Sequence, residues 1–322
     1  MSVFDSPNCT IAENAPVASD AGVAGRGVLL SFIITAGLAL IISSSIIFQE
    51  MKGNPSNIRR KLLNSYSDQQ ILQGIGIACV GLARINVMVP YHFFIIWMLS
   101  NLSMAVHNAT LLALVHDFRR DWVLRWLRQF LMFVNLTLNV VYGVFILQGV
   151  SKGMQESKLP VACVWVVGNE GKGNQQGISY VGTVVVIIAN ALVFALASWY
   201  LHLRTQKFIN IIKIIGILLM AASAVGAAVR CIIASDAFGN GPSYELSDQG
   251  ERGWGFGQLL SLLVLLFPLV SMVEIMRGDI KVAPCDFSDG KMGDSTEMGN
   301  YRSSYQPNPF FGSQTNLFKR GG

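Results

Sequence analysis

Three carboxyls stand where apolar segments meet charged connections: Asp68 in Ser67-Asp68-Gln69-Gln70, Asp117 directly after His116, and Glu274. A carboxyl in such a place can keep its proton through partial burial and deliver it to a bound molecule as a general acid. The competing structural reading is helix capping by Ser67 or Asp68 and snorkelling of charged groups toward water. A second cluster, Tyr91-His92-Phe93-Phe94-x-x-Trp97, opens another apolar segment opposite Arg84 and Arg230. Its aromatic faces could stabilise a cation, and the same residue types also serve as ordinary interface anchors. Asn101 and Asn108 share a helical stripe, with His107, Ser100 and Ser103 on the neighbouring one; Asn135, Asn139 and Tyr142 form a similar stripe further on. Amides in hydrocarbon either hydrogen-bond between helices or contact a ligand. Trp199 and Tyr200 supply one more aromatic pair. His92, His107, His116 and His202 lack ligand spacing, so neither a metal site nor a cofactor is expected. The run Gly171 to Gly177 fits no nucleotide-binding spacing.

The elements that must position these residues are membrane helices. Of 322 residues, 52% are apolar and only 13% charged, whereas a soluble domain carries about a quarter charged residues. Crossing a bilayer takes about 20 apolar residues in helical form. Seven stretches qualify: 27–49, 69–89, 91–116, 128–150, 178–203, 208–235 and 257–277. The expected fold is therefore all-α, a polytopic bundle of seven transmembrane helices over 27–277. Residues 1–26 precede it, and a disordered cytoplasmic tail covers 278–322. The Gly-, Ser- and Asp-rich composition from 286 onward cannot offset the entropy of folding. Pro90 predicts a tight hairpin between the second and third spans. Gly74 and Ala78, and Ala222, Ser223, Gly226 and Ala227, mark close helix packing.

Lys and Arg collect in alternate connections: Lys52, Arg59, Arg60 and Lys61; then Arg119, Arg120, Arg125 and Arg128; then Arg204 and Lys207; then Arg277 and Lys281. The positive-inside bias places those connections and the tail in the cytoplasm and the N-terminus outside or in the lumen. The partner this implies is the lipid bilayer, of the endoplasmic reticulum or the plasma membrane, and not nucleic acid, because the basic residues form no stripe. Asn8-Cys9-Thr10 is a glycosylation acceptor pattern on the lumenal side. The same pattern at Asn101, Asn108 and Asn135 falls within spans and should stay unmodified. Cys9 and Cys163 both fall on the oxidising side and could pair, against a default of chance placement. Cys285 is a juxtamembrane thiol that could be palmitoylated.

No carboxyl falls at the midplane, which argues against proton-coupled transport. The seventh span has no lysine for a retinal Schiff base. Residues 66–128 resemble a group of uncharacterised fungal seven-span membrane proteins, through Tyr66-Ser67-Asp68-Gln69-Gln70, Tyr91-His92, His107, Thr110-Leu111 and Leu127-Arg128. That resemblance implies architecture and a fungal source, and no activity.

Two functions remain. One is a membrane-embedded terpene or meroterpenoid cyclase of secondary-metabolite biosynthesis, an isomerase or lyase analogous in architecture to small multi-span fungal cyclases. It would close a lipophilic isoprenoid substrate by acid-initiated carbocation chemistry. Asp68, Asp117 and Glu274 are its candidate acids, and Tyr91, His92, Trp97, Asn101, His107, Asn108, Trp199 and Tyr200 its candidate substrate contacts. Because the lumenal aromatics lie at the wrong end for those acids, Asp236 or Glu245 is the alternative donor. The other function is a receptor coupled to a G protein, suggested by Asp117-Phe118-Arg119-Arg120-Asp121 at the end of the third span. The seventh span offers only Phe267-Pro268-Leu269-Val270 where such receptors carry Asn-Pro-x-x-Tyr, and the connection from Leu203 to Lys207 is short. The compact bundle and short connections incline the sequence reading toward the cyclase.

Overall fold

The computed structural model describes residues 9, 17–53, 57–115, 122–154, 157–167, 176–202, 209–242, 244 and 246–277. Six long helices follow one another: α1 Arg26–Met51, α2 Asn57–Ala83, α3 Pro90–Ala113, α4 Trp122–Ser151, α5 Gln176–His202 and α6 Ile209–Ala234. The last apolar stretch is divided into α7, Phe256–Val264, and α8, Phe267–Met276. Among the described residues the only β pairing is an isolated bridge between Val17 and Leu246. Helices α1, α3, α4, α5 and α6 are long and apolar enough to cross a membrane. Large side chains such as Val185, Ile188, Leu192, Leu218 and Val225 face outward, where only lipid would cover so much apolar surface. These features suit an all-helical, multi-pass protein embedded in a membrane.

The two remaining predicted spans differ from expectation. Helix α2 starts at Asn57, well before the apolar run, and buries Arg60, Leu63, Tyr66, Ser67 and Gln70. It ends at Ala83, so residues 84–89 form a connection of turns in place of the tight hairpin. Pro90 does not stop the incoming helix. It opens α3, where its missing N–H is one that has no intrahelical partner anyway. The expected seventh helix is interrupted by a turn at Leu265 and Leu266. Pro268 sits in the first turn of α8, since in the interior of a continuous helix it would remove a hydrogen bond and clash.

Helix α3 is the axle of the bundle. It packs against α1, α2, α4, α5 and α6, and those five close a ring around it through the pairs α1–α2, α2–α4, α4–α5, α5–α6 and α6–α1. Every residue of α3 except Pro90 and Phe94 is buried. Helices α7 and α8 lie against α1 and α2 respectively.

An apolar axle could slide or rotate within its ring; polar side chains fix its register. Asn190 Nδ2 donates to Asn101 Oδ1 at 2.9 Å, and Asn108 donates to the Asn190 carbonyl at 3.4 Å. Asn135 and Asn139 donate to Ser103 and Ser100 at 3.1 and 3.0 Å. Tyr142 donates to the Ala78 carbonyl at 2.7 Å. A side-chain carbon on Gly74 would lie 2.4 Å from Ser103 Oγ, so α2 and α3 approach closely there only because the residue is glycine. The stripe on α6 behaves differently from expectation: Ala227 is buried, but Ala222 and Gly226 are exposed, and a side-chain carbon on Gly226 would meet nothing within 4 Å.

Candidate functional site

The end of the bundle at which α3 begins is closed by a cap of connections. Residues 17–25, the turns at 84–89, the 3-10 turn Val161–Trp165 and the described residues 235–242, 244 and 246–255 meet there. Ser247 N donates to the Val17 carbonyl at 2.8 Å, and Val161 N donates to the Met88 carbonyl at 2.9 Å. A disulfide joins Cys9 to Cys163 across 154 residues of sequence. It sits over a small cluster of Met154, Cys163 and Val164.

Glu251 holds this cap together. Its carboxyl is fully buried and accepts from the Tyr91 hydroxyl at 2.8 Å, contacts His92 Nε2 at 2.6 Å and accepts from the Asp20 backbone N–H at 3.2 Å. Its own carbonyl accepts from Arg26 N at 3.3 Å. One side chain thus ties the chain entering α1 and the connection entering α7 to the first turn of α3. The Tyr91 hydroxyl in turn accepts from Asp236 N at 2.8 Å. Burial and the neighbouring Glu251 carboxyl push the Tyr244 hydroxyl up to about 12, so it stays protonated.

Beside the cap lies a cavity of about 320 Å³, near the lower end of the usual range for small-molecule pockets. Pro90, Tyr91, Phe93 and Phe94 of α3 form one wall and Phe145, Ile146 and Val150 of α4 another; Arg230 and Ala234 of α6 complete it with Gly241 and Pro242. Phe93 stacks on Tyr142 at 4.2 Å, and Trp165 meets Phe145 edge-on at 5.7 Å, so these rings are held in place from behind. The side chain of Asp236 lies against the same wall: a carbon built on Gly241 would stand 2.8 Å from Asp236 Oδ1. Arg252 engages that carboxyl at 2.8 Å.

The far end of the bundle carries a buried ion network that sequence reasoning missed. Glu50 at the end of α1 pairs with Arg60 of α2 at 3.3 Å and with Lys213 of α6 at 2.6 Å. Both cations and the carboxyl are almost completely buried. Asp68 is nearby in type but not in state. It is half-exposed and paired with Arg128 at 2.5 Å.

Of the proposed acids, Asp68 is the one whose side chain is described, and it does not reach the aromatic pocket. Asp68 is bound to Arg128, and from Arg128 to Phe145 along α4 the helical rise amounts to about 25 Å. Asp117 lies outside the described residues, as do the alternative donor Glu245 and the acceptor Asn8. The side chains of Glu274 and Tyr200 are likewise outside them. Of the proposed substrate contacts, Tyr91 lines the cavity. His92 faces Glu251, while Asn101, His107 and Asn108 are engaged within the axle and its ring. Trp97 is buried behind Phe94, their centroids 6.2 Å apart. Trp199 is 67% exposed and points out of the bundle, a placement for lipid and not for a substrate inside.

Glu251 was not singled out by sequence because it falls in a polar loop among Gly, Ser, Asp and Arg, where an acid is unremarkable. Its partners, the adjacent Tyr91 and His92, were the legible half of the contact. Among the described residues no group of His, Cys, Asp and Glu could hold a metal ion. What the site defines is a helical membrane bundle with an aromatic, small-molecule-sized cavity under a polar cap. No protein-family profile, curated protein or solved structure matches the chain.

Proposed function

We propose that this chain is a seven-span membrane protein, with its N-terminus and cap outside or in the lumen, that binds a lipophilic small molecule in the capped cavity and works as a receptor-like protein. The carrying observation is the aromatic cavity between α3, α4 and α6. The same helix α6 gives Arg230 and Ala234 to the cavity and Lys213 to the buried ion network with Glu50 and Arg60. A rigid helix that touches a ligand at one end and a buried salt bridge at the other can bias a two-state contact. The Cys9–Cys163 disulfide supports an oxidising environment for the cap, in agreement with the distribution of Lys and Arg. In this reading α2 and the α7–α8 pair complete the seven passes.

A second reading, the cyclase, is favoured by one observation: Asp236 beside the cavity wall at Gly241. A cyclase needs an acid that delivers a proton to its substrate, and Asp236 is engaged by Arg252. The Glu251 carboxyl is fully buried and occupied by Tyr91, His92 and Asp20.

Photolabelling separates the outcomes. An alkyl phenyl-diazirine used on membranes holding the full chain should label the peptide that carries Tyr91, Phe93 and Phe94. Phe145→Trp, which fills the cavity, should abolish that label without lowering the melting temperature. Label confined to outward residues such as Leu192 and Leu218 would contradict a ligand cavity. Turnover of an epoxy-isoprenyl phenol that Asp236→Asn abolishes, with labelling intact, would replace the receptor with the cyclase.

A further inference from the structure

Four described arginines stand at the cap end of the bundle, and three have partners. Arg26 Nε donates to the Ala237 carbonyl at 2.5 Å, Arg84 pairs with Asp20, and Arg252 pairs with Asp236 at 2.8 Å. Arg230 has no hydrogen bond or ion pair among the described residues. It is exposed at the rim, and among the described residues it is the one charged side chain in the lining of the cavity. Among the described residues, two buried or part-buried carboxyls of the cap are engaged elsewhere, Asp236 by Arg252 and Glu251 by Tyr91 and His92. An apolar, aromatic cup is thus left with one unanswered positive charge at its edge.

We propose that the cavity takes a short amphiphile with an anionic head, a carboxylate or phosphate held by Arg230 and an apolar tail packed on Phe93, Phe94 and Phe145. This rests on the cavity being a ligand site, and it names the ligand's chemistry. A planar guanidinium presents parallel N–H donors that match a carboxylate or phosphate, and such charge-assisted pairs are about twice as strong as neutral ones. A cationic head, which the aromatic rings alone would favour, is disfavoured by the same unpaired arginine. A cavity of about 320 Å³ accommodates a small ligand or the end of a longer chain. The head could belong to a free fatty acid or to an anionic membrane lipid, and the two sources share this chemistry.

Tryptophan quenching provides the test, because Trp165 and Trp97 flank the cavity through Phe145 and Phe94. The full chain in phosphatidylcholine nanodiscs is titrated with bromodecanoate, neutral bromodecanol and cationic bromodecyl-trimethylammonium. Bromodecanoate should bind roughly tenfold more tightly than the alcohol, the ratio expected of one charge-assisted hydrogen bond. Arg230→Gln should make acid and alcohol equal, Arg230→Lys should keep most of the difference, and Arg84→Gln should leave it unchanged. Repeating the titration in phosphatidylglycerol nanodiscs identifies the source. Loss of the preference there assigns the head to membrane lipid, and its persistence assigns it to a free amphiphile. Equal binding of acid and alcohol by the unaltered protein, or a preference that survives Arg230→Gln, would overturn the anionic head while leaving the cavity as a site. Quenching by none of the three probes would overturn the cavity reading as well.

Discussion

At the scale of single residues the account turns on Glu251, a buried carboxyl with three donors or ring contacts converging on it. Removing an acceptor from buried polar groups costs about 1–3 kcal/mol for each group left unsatisfied. Glu251→Gln, which keeps the shape but turns one acceptor into a donor, should therefore lower stability by about 2 kcal/mol, read as a fall in melting temperature of the purified protein. Asp248→Asn is the contrast, since that carboxyl is exposed. Hydrogen bonds from Ser19 and Gly250 hold the Asp248 carboxyl below its usual range. Its small contribution is present above the unfolded value and lost as pH falls through the folded one. A shift as large for Asp248→Asn as for Glu251→Gln would remove Glu251 from its place at the centre of the cap. The sequence exposed half of this site. Tyr91 and His92 were legible because they belong to an aromatic cluster opening an apolar run, whose faces could stabilise a cation. Glu251 is remote in sequence, and a lone acid in a polar loop carries no periodic signal.

At the scale of elements, hydropathy located the cores of α1, α3, α4, α5 and α6 to within a few residues at most ends, because a bilayer admits only long apolar helices. It failed at α2, whose first three turns are polar and run outside the apolar stretch, and at the break between α7 and α8, where the composition stays apolar across the turn. The stripe of Asn101 and Asn108 was legible as a stripe. Its partner Asn190 was not, because pairing between α3 and α5 is a property of packing. The Glu50–Lys213 contact was invisible for the same reason: nothing in one helix announces a salt bridge to another. The Cys9–Cys163 disulfide clamps the segment before α1 to the connection between α4 and α5. Cross-links that close long loops contribute typically 2–4 kcal/mol. Cys9→Ser, Cys163→Ser and the double variant should therefore each lose about the same stability, about 3 kcal/mol. Reductant should lower the melting temperature of the unaltered protein and of none of the variants. Losses that add in the double variant would contradict a bond between the two.

At the scale of the whole molecule, five helices around one axle explain why the middle of the bundle is polar without being charged. The axle has no face open to lipid, so it can carry Asn101, His107 and Asn108 at no cost in exposed polarity; Asn190 of the ring partners the two amides, and Ser103 of the axle itself partners His107. This arrangement puts a hydrogen-bonded core at mid-bundle, an ion network at one end and an aromatic cavity at the other, all sharing α3 or α6. Its orientation across the bilayer decides which compartment the cavity serves. Membrane-impermeant maleimide applied to intact cells, on single-cysteine variants of the full chain at Lys61, Arg120 and Lys158, reads that orientation directly. In the plasma membrane the account predicts labelling at Lys158 alone, with Lys61 and Arg120 reacting only after permeabilisation. In the endoplasmic reticulum it predicts that opening the plasma membrane exposes Lys61 and Arg120 first, and Lys158 only once the inner membrane is dissolved. Labelling of Lys61 and Arg120 from opposite sides would contradict the seven-pass bundle, and labelling of Lys158 from the inside would put the cavity in the wrong compartment.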